Sequence, residues 1–409
     1  MGDLRMRFIE NSVTRLRQIV RLLRTAGVRG VARRIVRIGE RRLGMVSNDF
    51  PLRAPDVADS ARLNSPEPPA ATRARPLRIA WITTPPGAGS GGHTTMFRMI
   101  EGLERAGHTT SLYLYDVYNG DFAAQEHLIR EHWPSVTSSV HDSRVGFGDA
   151  DVWIATSWPT AHVLASHPEL RGHRMYFVQD YEPFFYPHGA LYALAEDTYR
   201  FGFSGITAGA WLASELAERF GMRTSHFEFG ADTDVYTATP GPPRDGVVLY
   251  TKPGVARRGH ELGILAMQRF ARAHPEASIH LFGDPPGALP FEATSHGKVS
   301  PGTLNELYNR CRVGLSLSFT NVSLIPWELL ASGVVPVVND ARHNRMVLDN
   351  SNVVWADATP GSLADAMGRA WDAYRIDSTP GALSSSVAGA TWEDPSRAVT
   401  AHIERTVFG

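Results

Sequence analysis

Three short stretches gather side chains suited to phosphate and sugar chemistry. The first is "TKPGVARRGHE", with Lys252 at an apparent strand end and Arg257 and Arg258 ahead of a helix. Phosphate oxygens accept charge-assisted hydrogen bonds, and arginine offers two parallel donors. Fixed cations there would stabilise the negative charge that builds on a departing diphosphate. A solvated basic turn is the plainer alternative. The second stretch is "SFTNVSLIPWELLASG", where Pro326 opens a helix carrying Glu328. The helix dipole alone favours a glutamate in the first turn. The amides of Asn321, Val322, Ser323 and Leu324 precede that helix and are placed to face phosphate or sugar. The third is "VQDYEPFFYPH", in which Asp180 and Glu182 follow a strand and Tyr181, Phe184 and further aromatics follow them. Aromatic faces suit sugar rings and carboxylates suit hydroxyl groups. Asp180 is the better base or hydroxyl anchor of the two acids, and His188 is a weaker candidate. An aromatic-rich loop packed between lobes is the alternative.

Other motifs say less. "PPGAGSGG" leads into "HTTMFRMIEGLERAGH", so Gly91 and Gly92 stand where a loop enters a helix. Glycines allow close backbone approach and a helix start offers free N–H groups. The spacing is neither a dinucleotide fingerprint nor a P-loop, and an ordinary tight turn remains open. "ADTD" (231–234) imitates a metal-binding acidic pair, but it follows "FEFG"; we read Asp232 and Asp234 as hinge and capping residues. The sixteen histidines show no metal spacing, so no metal is expected.

These residues need a scaffold. From Leu77 onward, short apolar strands alternate with helical stretches: "LRIAWITT", "TSLYLYD", "ADVWIATSW", "RMYFVQD" and "FSGITAG". The pattern breaks at "TPGPPRDG" and restarts with "VVLYTKP", "ASIHLFGD", "VGLSLSF" and "VVPVVND". Gly107 and Pro275 stop the helices "GGHTTMFRMIEGLERAGH" and "GHELGILAMQRFARAHP". Such alternation predicts an α/β protein of two parallel-sheet units, with ligands at the carboxyl ends of the strands. The expected division is a basic amphipathic helical extension over 1–47, a proline-rich linker over 48–76 and a first Rossmann-like domain over 77–237. A second Rossmann-like domain follows over 238–375, and a terminal helix over 376–409 crosses back to the first.

The 409 residues carry a net charge of −1, which suggests no nucleic-acid partner. Lys252 and Lys298 are the only lysines, and the single cysteine excludes an internal disulfide and points to a reducing, cytoplasmic setting. No apolar run reaches the roughly 18 residues of a membrane span, and no signal-peptide core is seen. Residues 1–44 hold twelve arginines against three acids, opposite a stripe that includes Phe8, Val13, Leu16 and Leu23. A basic amphipathic helix suits the anionic inner face of a membrane, or it packs on the protein or on a second subunit in a homodimer.

The chain resembles GT-B glycosyltransferases, close to glycosyltransferase family 4. "SGGHTTMFRMIEGLERAGHTTSLYL", "FEFGADTDVY", "TKPGVARRGHELGI", "SLSFTNVSLIPWELLASGVVPVVND" and the terminal "TWEDPSRAV" carry the likeness over roughly residues 77–405. "YFVQDYEPFFYPHG" narrows it to the WsaF-like rhamnosyltransferases of bacterial surface glycans. The resemblance implies a GT-B fold, two Rossmann-like domains facing a central cleft. It implies metal-independent, retaining transfer of rhamnose or another deoxyhexose from a dTDP- or UDP-sugar, with no other cofactor, to a glycan acceptor, lipid-linked or free. It makes Lys252 and Arg258 the basic pair that supports the leaving diphosphate, and with Asp180, read above as base or hydroxyl anchor, they are the expected catalytic residues. It assigns the donor to Gly91, Gly92, Arg257, Gly283, Asp284, Val299, Thr320, Asn321, Val322, Ser323, Leu324 and Glu328, with Glu328 on the ribose. The acceptor falls to Tyr181, Glu182, Phe184 and His188. The family places two glutamates eight positions apart, and the first of them is Thr320 here. That departure leaves two rivals standing: a nucleotide-sugar epimerase of similar fold, active without acceptor, and a glycan-binding scaffold subunit without catalysis.

Overall fold

The computed structural model describes residues 50–63, 76–240 and 243–409. The expected basic helix of residues 1–47 lies outside them. Residues 55–409 form one compact unit.

Its first sheet has seven strands: β1 (Arg78–Thr83), β2 (Thr109–Leu114), β3 (Ser139–Asp142), β4 (Val152–Ala155), β5 (His173–Val178), β6 (Ser204–Ala208) and β7 (Thr224–Phe227). The spatial order is β3-β2-β1-β4-β5-β6-β7, and every pairing is parallel. The connecting helices are α1 (Gly91–Arg105), α2 (Phe122–His132), α3 (Trp158–Ser166), α4 (Ala190–Asp197) and α5 (Ala210–Phe220). The second sheet holds β8 (Gly246–Thr251), β9 (Ser278–Gly283), β10 (Thr294–Ser295), β11 (Cys311–Ser316), β12 (Val335–Asn339) and β13 (Val354–Ala356), in the parallel order β10-β9-β8-β11-β12-β13. Its helices are α6 (His260–Ala273), α7 (Pro301–Tyr308), α8 (Ile325–Ala331), α9 (Arg342–Arg345) and α10 (Pro360–Ala373). The chain closes with α11 (Thr379–Ser385) and α12 (Glu393–Phe408).

Helices on both faces bury β4, β6 and β12 completely; β4 is apolar throughout and β12 up to Asn339, whereas β6 buries Ser204 and Thr207 among its apolar residues. The cores centre on Trp81, Trp153 and Phe177 in the first lobe and on Val313, Leu315, Val337 and Phe270 in the second. Strand order reverses at β1/β4 and at β8/β11. A crevice opens at such points because neighbouring connections leave the sheet on opposite faces. The candidate residues lie at or after the ends of β1, β5, β8, β9, β10 and β11.

Both chain crossings between the lobes meet. The Ala231 N–H donates to the Ala390 carbonyl at 2.5 Å, and Trp392 packs so tightly on Gly230 that a Cβ there would lie 2.8 Å from the indole. Helix α12 packs back on α1, where a Cβ at Gly102 would lie 1.6 Å from Ser396 Oγ. Glycine inside a helix costs about 1 kcal/mol relative to alanine. Here it permits the close crossing.

Three readings need correction. Residues 58–60, assigned to the linker, are docked on the first lobe: the Ala58 N–H donates to His162 Nδ1 at 3.1 Å and Ser60 Oγ to Asp197 at 2.6 Å. The helix read from "SPGTLNELYNRC" stops at Tyr308, and Cys311 already begins β11. Asp232 is not a cap. Its carboxylate pairs with Arg98 on α1 at 2.5 Å, and Arg98 also lies 4.4 Å above the Trp392 ring. That ion pair ties α1 to the crossing.

Candidate active site

The basic stretch behaves as its spacing suggests. Strand β8 ends at Thr251, so Lys252 emerges at the carboxyl edge. A single turn, Ala256–Arg258, then carries both arginines up to Gly259, whose φ of 59° starts α6. A Cβ on Gly259 would lie 2.8 Å from the Phe319 ring, so glycine lets the loops pack this closely. Arg258 Nη1 donates to Ser318 Oγ at 3.4 Å. Among the described residues Lys252 forms no ion pair. Its pKa is lowered, first by burial and then by the charges of Arg257 and Arg258. Burial likewise lowers Arg258. Three cations are therefore held close together with little neutralisation.

Asp284 of the same lobe acts on Lys252 through its charge, and among the described residues one carboxylate pairs with the cluster from the other lobe. Asp180 follows β5, and its Oδ2 lies 4.0 Å from Arg257 Nε. The guanidinium of Arg257 stacks over Phe185 at 4.2 Å, while Nε is buried without a hydrogen-bond partner. Arg257, expected on the donor, is thus turned toward the first lobe.

The loop between β11 and α8 is fixed from within. Asn339, at the end of β12, brackets Ser318: its Oδ1 accepts from the Ser318 N–H at 2.9 Å and its Nδ2 donates to the Ser318 carbonyl at 2.8 Å. His343 Nε2 donates to the same carbonyl at 2.9 Å. Ser323 and Ser316 share a hydrogen bond at 3.2 Å, and the Leu324 carbonyl accepts the first amides of α8. Val322 is buried. Thr320 and Asn321, both 1% exposed, face the first lobe. Glu328 accepts from the Tyr308 hydroxyl at 3.1 Å, and burial pushes its carboxyl up to about 7, with Asp232 adding to the rise. Gly283 ends β9 at φ 111°, where a Cβ would lie 2.4 Å from the Thr251 carbonyl. Asp284 pairs with Lys298 at 3.2 Å, and Val299 follows on the same rim.

On the first lobe, Gly91 begins α1 behind its cap Ser90, with open space where a Cβ would stand. The Gly92 carbonyl accepts from Gln179 Nε2 at 3.0 Å. Phe184 is 46% exposed, and the exposed His188 lies 4.8 Å from the Tyr192 ring. Tyr181 and Glu182 are placed differently from expectation. Tyr181 is fully buried among Phe184, Tyr199 and Trp211, its hydroxyl donating to Glu196 at 3.1 Å. Glu182 is 5% exposed and accepts from the Trp158 N–H at 2.7 Å and the Tyr176 hydroxyl at 3.1 Å. Both are walls of the lobe rather than acceptor contacts, because every polar atom is already paired with protein. Sequence reasoning also missed Gln179, Ser318, Asn339 and His343. Asn339 and His343 had a signal: polar residues just past the strand "VVPVV".

Two doubly wound parallel sheets with a cationic cluster at their carboxyl edges define the GT-B class of glycosyltransferase fold. Solved structures share it. HepE of Anabaena, in complex with UDP and glucose, gives a TM-score of 0.61 at 15% identity, covering 81% of this chain and 99% of its own. TarM gives 0.66 at 8% identity, with coverages of 82% and 99%. WaaG, a glycosyltransferase involved in lipopolysaccharide biosynthesis, gives 0.55 at 11%, with 81% and 100%. Within that class, residues 135–208 match the N-terminal domain of WsaF and residues 245–368 its C-terminal domain. The O-antigen biosynthesis protein RfbC of Myxococcus xanthus is 33% identical over 330 residues, 76% of this chain. The chain spans 26% of the length of that relative. In parts of both lobes the chain is thus similar to WsaF, and its fold is that of the GT-B class.

Proposed function

We propose that the chain transfers a deoxyhexose such as rhamnose, with retention, from a nucleoside-diphosphate sugar to a bacterial surface glycan of the O-antigen kind. One observation carries this reading. Lys252, Arg257 and Arg258 crowd positive charge at the β8 edge, and burial first, with that mutual repulsion added to it, depresses the Lys252 pKa. A diphosphate relieves the repulsion and gains charge-assisted hydrogen bonds. The same contacts strengthen as the leaving group acquires charge, which lowers the barrier to transfer. Glu328 serves the ribose hydroxyls. Gly283, Asp284 and Val299 rim the base, which is thymine or uracil; the solved complex of HepE with UDP supports a pyrimidine donor. Asp180 reaches the same cluster from the first lobe, where it meets the incoming acceptor hydroxyl. Phe184 and His188 offer ring faces to acceptor sugars. RfbC, an O-antigen biosynthesis protein, and WaaG, of lipopolysaccharide biosynthesis, support the glycan class. The basic segment 1–44 holds the protein at the inner face of the cytoplasmic membrane, close to a lipid-linked acceptor. Among the described residues no helix is long and apolar enough to cross a membrane.

The test is thermal stabilisation by UDP and by dTDP. A ligand bound only by the folded state at a hundred times its Kd adds about 2.7 kcal/mol. One of the two should raise Tm in the wild type and fail in Lys252→Ala and Glu328→Ala. No stabilisation at millimolar concentration would leave a scaffold subunit as the better reading.

A further inference from the structure

Two consecutive buried residues of the second lobe spend their polar atoms on the first. Thr320 Oγ1 donates to Asp180 Oδ1 at 2.7 Å, and the Thr320 carbonyl accepts from the Tyr181 N–H at 3.4 Å. Asn321 Nδ2 donates twice across the gap, to the Gln179 carbonyl at 2.7 Å and to the Ala208 carbonyl at 3.0 Å. These carbonyls stand at the carboxyl ends of β5 and β6. Asn321 Oδ1 turns inward and accepts from the Val322 N–H at 2.9 Å, while its own carbonyl accepts from Ser318 Oγ. Neither side chain keeps a polar group for a ligand.

We propose that Thr320 and Asn321 are a latch between the lobes, and that Thr320 is a positioning residue that sets the Asp180 carboxylate against Arg257. The chemistry of the pair suits this task. Asparagine supplies two donors to two converging strand-end carbonyls and one acceptor to brace its own loop. Threonine places one short donor on a carboxylate whose other oxygen faces the guanidinium, so Asp180 is oriented by both lobes at once. Gln179 extends the connection, since its Nε2 donates to the Gly92 carbonyl at the start of α1. The latch therefore links the loops after β1, β5, β6 and β11. The lobes also touch elsewhere, at Trp211 with His343 and at Gly209 with Val347. The test must separate the latch from that packing.

Spin labels at Val145→Cys, 90% exposed on the first lobe, and Leu265→Cys, 50% exposed on the second, report the interlobe distance in the full chain; native Cys311 is buried. Double electron–electron resonance without ligand should give one narrow distribution in the wild type. Each lost hydrogen bond shifts the open-to-closed ratio about fivefold. Thr320→Val keeps shape and volume, and Asn321→Ala removes both cross-lobe donors. Each should broaden the distribution toward longer distances, and Thr320→Ser should restore the narrow one. UDP and dTDP titrations on the same variants complete the test. Unchanged distributions in folded Thr320→Val and Asn321→Ala overturn the latch. Unchanged distributions with lost nucleotide binding would make the pair donor contacts instead, which also overturns it. The distance measurement does not rest on sugar transfer: failure of the wild type to bind either nucleotide would count against that reading and leave the latch result standing.

Discussion

Glu182→Gln should remove a pH dependence that the fold builds into the loop bearing Asp180. Glu182 is buried, and burial pushes its carboxyl up to about 8 against the bonds from Trp158 and Tyr176. The same group titrates near 4.5 in the unfolded chain. Between those values the folded state binds a proton that the unfolded state has released. Stability is therefore full below about pH 4.5 and falls as pH rises toward 8. At about 1.4 kcal/mol per pH unit, the interval amounts to about 4 to 5 kcal/mol. Glutamine keeps an acceptor oxygen for the Trp158 N–H and carries no charge at any pH. Urea unfolding at a series of pH values measures the difference between the two proteins. Glu328 rises in the same direction but is present in both, so it cancels in the difference curve. Glutamine should match the wild type near pH 5 and exceed it by several kcal/mol at pH 8.5. Parallel curves across that window would show that the carboxylate stays ionised in the folded state, and the burial argument would fail.

Other outcomes follow from the same geometry. Lys252→Ala should weaken binding of UDP or dTDP by about ten- to a hundredfold and flatten its salt dependence, read by calorimetry. A diphosphate raises the depressed Lys252 pKa, so binding takes up protons and affinity should fall as pH rises through the free-state value; calorimetry in buffers of different ionisation heat checks the uptake. Gly283→Ala meets the Thr251 carbonyl at φ 111° and should cost more than about 1 kcal/mol, with lost nucleotide binding, measured by thermal shift. Gly102→Ala should loosen α12 despite its better helix propensity, seen as faster proteolysis of the C-terminal segment and reversed by Ser396→Gly.

The central strands were legible because parallel strands covered on both faces are rich in apolar residues. Strands β3, β7, β10 and β13 escaped notice. They are short, sit at or near sheet edges and keep exposed or half-exposed residues, so nothing distinguishes "SVHD" from a loop. The phosphate-binding candidates were legible for a local reason as well: Lys252, Arg257 and Arg258 need only a strand end and a turn to converge. Glu182 and Tyr181 were misread because an acid and an aromatic beside Asp180 look the same in sequence whether they face the cleft or the core. Burial separates them, and burial depends on Tyr176, Trp158, Tyr199 and Trp211, which arrive from other elements.

By itself the sequence determined the two parallel-sheet units, the carboxyl-edge placement of the chemistry and the cationic stretch. Those follow from periodicity and from contacts over a few residues. Tertiary structure alone decided that Thr320 grips Asp180 across 140 positions, that Asn321 bridges two strand ends of the other lobe and that Arg98 holds the crossing through Asp232 and Trp392. Hydrogen bonds and ion pairs between distant residues leave no periodic trace along a chain. They exist only once both sheets have folded and set their edges against each other.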